Sequence, residues 1–85
     1  MVNKTFSPVD AGRWENIKKM FAGQAGVTIT SDAGTAAHEG VKFTWAWGGD
    51  TLAVTVVSVS FADHIAGYSE QKVMDKFSSW IDGIS

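Results

Sequence analysis

The chain contains no cysteine. That single absence removes disulfides, thiolate nucleophiles and thiolate metal ligands together. Proline occurs once, at Pro8, so there is no proline-rich linker or recognition tract. Charge is sparse: Asp, Glu, Lys and Arg make up 19% of the residues, and seven basic against nine acidic side chains leave a net charge of -2. A basic footprint for nucleic acid is therefore missing. No apolar run approaches the roughly 18 residues of a membrane span. The N-terminus, Met1 to Ser7, lacks the charged-then-apolar order of a signal peptide. The expectations are no nucleic acid, no membrane and cytoplasmic residence.

What remains is apolar and aromatic. Hydrophobic residues are 45% of the chain, and four Trp and five Phe stand among only 85 residues. The reading is one small domain spanning 1–85. A domain this small buries only about 60% of its unfolded surface, so its core is marginal unless it is unusually rich. Large aromatics, each burying on the order of 150–250 Å², compensate. A deep catalytic pocket would compete with that core for space, so a binding role is weighed ahead of an enzymatic one.

Hydropathy patterning predicts a helix from Pro8 to Ala22, capped by Ser7, with Val9, Trp14, Ile17, Met20 and Phe21 on one arc and Arg13 intruding. Glu15 and Lys19 stand at i,i+4, Gly23 is a helix stop and Gly26 a second break. Val27-Thr28-Ile29-Thr30 alternates and predicts a short strand. Ser31 to Gly40 reads as turn and polar loop. Val41 to Trp47 is the clearest strand, with Val41, Phe43, Trp45 and Trp47 on one face. Gly48-Gly49-Asp50 turns the chain into a return strand from Thr51 to about Ser60. The pairing that keeps apolar residues together sets Trp47 against Leu52, Trp45 against Val54 and Phe43 against Val56. Beyond Val56 the apolar parity changes, which requires either a bulge near Val57 or cover on both faces. Ser69 caps a final helix running to Ile81, with Val73, Met74, Phe77, Trp80, Ile81 and Ile84 on one arc, and Gly83 ends it. The sum is a two-layer α+β fold of order α-β-β-β-α, with a three-stranded antiparallel sheet and both helices on one face.

The other face of that sheet would carry Thr28, Thr30, Thr44, Ala46, Ala53, Thr55 and Val57, with Lys42 its only charge. Solvated faces and exposed edges usually carry more charge than this. Two readings stand: a surface that docks on the same surface of a second copy in a homodimer, or a Thr-rich face chosen for strand propensity.

Candidate chemistry is thin. His38-Glu39 and Asp63-His64 each pair an imidazole with a carboxylate, and extending the hairpin register sets His38 opposite Phe61, not far from His64. Together they could hold a divalent metal or work as acid and base; apart, they are loop histidines beside turn acids. No catalytic residue and no cofactor is assigned. There is no G-x-S-x-G elbow, and Gly23-Gln24-Ala25-Gly26 is not a phosphate loop. A third possibility is a small apolar ligand held between helices and sheet among Trp14, Trp45, Trp47 and Trp80.

The segments Val27 to Thr35, His38 to Trp45 and Asp50 to Val56 resemble small uncharacterised bacterial proteins that carry G-V-x-I-x-S-x-x-G-T, H-G-V-x-[FV]-x-[WY] and T-L-T-V-x-V runs before a C-terminal helix. The resemblance extends from Gly26 to Trp80. Glu39 here separates His38 from Gly40, and Ser58-Val59-Ser60-Phe61 stands where those proteins have a Lys/Pro-Phe-Phe segment. The resemblance implies a bacterial origin and the α-β-β-β-α order, and brings no catalytic residue. The functional expectation is a homodimeric interaction or assembly module. A metal or acid/base site and an apolar ligand site are the alternatives.

Overall fold

A computed structural model describes residues 1–38, 40–59 and 69–84. The elements run β1 (Val2–Phe6), α1 (Ala11–Met20), a π-helical turn (Phe21–Ala25), β2 (Ala33–His38), β3 (Val41–Trp47), β4 (Leu52–Val59) and α2 (Glu70–Asp82). All strand pairs are antiparallel, in the spatial order β1-β4-β3-β2. The fold is α+β with two helices, as expected. The sheet has four strands rather than three, and a strand precedes the first helix.

The central hairpin follows the apolar pattern. Trp47 pairs with Leu52, Trp45 with Val54 and Phe43 with Val56. The turn closes through Gly48 N donating to Thr51 O at 2.9 Å. The parity change past Val56 is a bulge: Lys42 pairs with Ser58 while Phe43 pairs with Val56, so Val57 has no partner across the ladder.

Two strand assignments differ from the sequence reading. Val27 to Thr30 is not a strand. Val27 and Ile29 are buried from an unpaired segment, and Thr28 and Thr30 are exposed. Burial of alternate residues gives a strand-like pattern whether or not a ladder forms. The third strand of the central sheet is instead Ala33–His38, in the stretch read as turn and loop. There Gly34 pairs with Trp45 and Ala36 with Phe43, so small residues lie opposite the largest rings. A Cβ on Gly34 would sit 2.9 Å from Trp45 Cζ2. β1 is the second addition. Val2 and Phe6 pair with Val56 and Leu52, and between them Lys4 Nζ donates to Ser78 Oγ of α2 at 2.5 Å.

The first helix starts later than expected. Asp10, not Ser7, is its cap, accepting from Arg13 N at 2.7 Å, while Val9 N donates to Asp50 O at 2.7 Å and ties the preceding residues to the hairpin turn. Glu15 pairs with Lys18 rather than Lys19. The helix runs through Gly23 as the π-helical turn and closes at Gly26, which adopts φ +70° and donates to Phe21 O. That left-handed conformation is open to glycine at little cost. α2 is as expected: Ser69 caps it by accepting from Lys72 N at 3.2 Å, and Gly83 ends it.

One core joins the layers. Phe6, Phe43, Trp45, Leu52, Val54 and Val56 of the sheet pack with Trp14, Ile17 and Phe21 of the first helix and its turn, and with Val73, Met74, Phe77 and Ile81 of α2. Three tryptophans are anchored by their N–H groups: Trp14 to Asp32 Oδ1, Trp45 to Ser31 O and Trp47 to Val9 O. Such bonds let a large ring be buried without stranding its one donor. Arg13, the intruder on the apolar arc, reaches across to the end of α2. Its guanidinium donates to Ile81 O, Ile84 O and Pro8 O at 3.1, 3.0 and 2.6 Å.

Candidate functional site

A cleft of about 520 Å³ lies between the π-helical turn, the β2–β3 hairpin and α2. Its wall is built by spacing along α2: Val73, Lys76, Phe77 and Trp80 recur at three and four residues and fall on one helical stripe. Phe43 and Val41 of β3 complete the apolar floor, and Val27 and Ala25 close the side. The rings form a continuous surface. Phe43 and Phe77 meet edge to face at 5.0 Å, and Phe77 and Trp80 are tilted at 5.9 Å between centroids.

Polar groups occupy the mouth. Gln24, His38 and Lys76 are all exposed there. The His38 ring lies against Gly26, where a Cβ would stand 3.0 Å from Nε2. Gly26 thus serves twice, by its backbone conformation and by yielding space to the imidazole. The Lys76 ammonium stands over the Trp80 ring, 5.9 Å from its centroid. Among the described residues the cleft has no carboxylate in its lining, and none pairs with Lys76. Trp80 is also the one tryptophan whose N–H has no acceptor among the described residues.

The expected ligand site was placed among four tryptophans, and only Trp80 belongs to it. Trp14 and Trp45 are 1% and 6% exposed, and Trp14 stacks on Trp47 at 6.0 Å, so these rings fill the core instead of enclosing space. Val73 was expected on the apolar arc of the last helix, and Lys76 and Gln24 were not expected at a ligand site. The α2 stripe was legible; what it faced was not, because that depends on the π-helical turn and on β2.

Of the histidine-acid candidates, His38 ends β2 and pairs with Val41. The chain reverses at Gly40 instead of carrying the strand backward. Glu39, Asp63 and His64 lie outside the described residues, as does Phe61. Among the described residues no three His, Asp or Glu side chains come together as metal ligands.

The second candidate is the sheet face away from the helices. It presents Asn3 and Thr5 from β1, Ala33, Thr35 and Ala37 from β2, Lys42, Thr44 and Ala46 from β3, and Ala53 and Thr55 from β4, with Val57 and Ser58 at the bulge. Lys42 is its only charge among the described residues. Thr44, Ala46, Ala53 and Thr55 therefore share a face as expected, and Val57 stands at the bulge without a ladder partner. Thr28 and Thr30 do not, since they lie outside the sheet.

No family model, curated protein or solved structure matches this chain, so function is argued from the chemistry of these two surfaces. No helix among the described residues is long and apolar enough to cross a membrane.

Proposed function

We propose that the domain is a small-molecule binding module whose site is the cleft between α2, the π-helical turn and the β2–β3 hairpin. The observation that carries this is the cleft itself. Its 520 Å³ falls within the roughly 300–1,000 Å³ of ligand pockets, and apolar and aromatic walls with few polar groups at the mouth are their usual lining.

The test is a neutral apolar probe, N-phenyl-1-naphthylamine, followed by its fluorescence. Emission should rise saturably with the wild-type domain. Val41→Trp and, separately, Ala25→Leu should weaken that binding about tenfold or more by filling the cleft, with unchanged near-ultraviolet circular dichroism. Equal binding to wild type and both folded variants, or none to wild type, overturns the proposal.

The threonine-alanine face supports a second reading, self-association, on the observation that its outward residues carry one charge. Area limits its strength. Four strands about 4.8 Å apart and about six residues long at about 3.3 Å each give roughly 400 Å². That is about half of the roughly 800 Å² per partner of a standard interface, so the association is weak and concentration-dependent. Light scattering should show a monomer at micromolar concentration and dimer growing toward millimolar. Thr44 and Thr55 are direct cross-strand partners. Thr44→Lys with Thr55→Glu therefore keeps a favourable pair within the sheet while charging the face, and should remain monomeric throughout. A wild type that is monomeric at every concentration sinks this reading.

A further inference from the structure

We infer that the cleft selects aromatic carboxylates: an apolar ring body seated on Phe43, Phe77 and Trp80, with its anionic head at Lys76. The inference rests on the cleft being a ligand site and names what that site takes. Three observations carry it. The first is the sign of the charge at the mouth. Lys76 is a full cation with no ion-pair partner among the described residues, and no carboxylate among those residues lines the cleft to repel an anion. The second is where that cation stands. It lies 5.9 Å from the Trp80 centroid, so the ammonium stands at the rim of the aromatic floor. A carboxylate meeting it leaves the rest of the ligand over the rings.

The third is the floor. Phe43, Phe77 and Trp80 contact one another edge to face and tilted, with centroids 5.0 and 5.9 Å apart. A further ring extends this arrangement through the same quadrupole geometry, which an alkyl chain cannot do. Trp80 and Gln24, which also line the cleft, carry neutral N–H donors that a carboxylate can use. A ligand cation would be repelled by Lys76 and would find no counter-charge in the described lining.

The experiment compares 2-naphthoate, its neutral analogue 2-naphthamide, and octanoate by calorimetry on the whole domain. Wild type should bind 2-naphthoate about three- to fivefold more tightly than 2-naphthamide, the scale of one exposed ion pair. That preference should shrink in high salt. Lys76→Gln should abolish the preference, with unchanged near-ultraviolet circular dichroism separating that outcome from loss of fold; Lys76→Arg should retain it. Octanoate should bind more weakly than 2-naphthoate. Equal affinity for acid and amide, or a preference that survives in Lys76→Gln, overturns the anion assignment but leaves the ligand site standing. Octanoate binding as tightly as 2-naphthoate overturns the aromatic assignment. No binding of any of the three at millimolar concentration overturns the site itself, and this proposal with it.

Discussion

Arg13→Met should cost about 2–3 kcal/mol of stability, a large loss for a partly exposed position. Methionine keeps the helix propensity and the apolar stem and deletes only the guanidinium. Three hydrogen bonds go with it. Two of them, to Ile81 O and Ile84 O, join α1 to the end of α2 across 68 and 71 residues of sequence. The third fixes Pro8 O at the entry to α1. A positive charge at the C-terminal end of α2 also complements the partial negative charge of its last carbonyls. Ile81 O still accepts from Ile84 N in the variant, so the loss stays below the sum of three charged bonds. For a domain of this size the shift in melting temperature should be about 10–20 °C. Arg13→Lys should recover only part of it, because a point charge cannot reach three divergent carbonyls. Urea denaturation of the two variants with an unchanged slope is the measurement, and a loss under about 0.5 kcal/mol for Arg13→Met would contradict the argument.

Gly34→Ala should destabilise by about 1–3 kcal/mol, although replacing glycine in a strand interior ordinarily stabilises it. The sign turns on whether the neighbour can give. The new methyl would meet Trp45 Cζ2 at 2.9 Å, Cη2 at 3.3 Å and Ser31 Oγ at 3.4 Å. The Trp45 ring is 6% exposed and tethered by its N–H to Ser31 O at 3.0 Å. Ser31 is tethered in turn to Ala33 O at 2.8 Å. Neither partner is a flexible tip. Trp45→Phe removes the two crowding atoms, so the same Gly34→Ala change in that background should cost little or become favourable. A double-mutant cycle reads the coupling directly, and additivity of the two changes would show that the crowding is not felt.

Gly34 also shows why part of the fold was hidden in the sequence. Strand patterns are recognised by branched and aromatic residues at alternate positions. Ala33–His38 has only Thr35, on the outward face, because its inward residues Gly34 and Ala36 are small where Trp45 and Phe43 already occupy the space. The volume that marks a strand sits on its neighbour. β1 was obscured in a related way: Lys4 interrupts the apolar alternation between Val2 and Phe6, and its partner Ser78 lies at the other end of the chain. By contrast the β3–β4 register, the Ser69 cap and the apolar stripe of α2 were legible, since each depends on residues close in sequence. The candidate site falls between these cases. Trp80 and His38 stood out as residue types, but their convergence with Lys76 is made by the π-helical turn, by Gly26 and by a hairpin reversing at Gly40, and no local pattern encodes those together.

The unpaired Val57 has a consequence for how this chain can change over generations. Side chains before it and after it point by opposite parity, which is how Val56 and Val59 both face inward, Val59 beside Val41 at the cleft floor. Deleting that one position would leave Ser58 opposite Lys42 and Val59 opposite Val41 in an unbroken ladder, with neither side chain turned over. A one-residue loss is therefore a change this strand can absorb among descendants, whereas straightening it with every residue kept would turn Ser58 toward the rings and Val59 toward water.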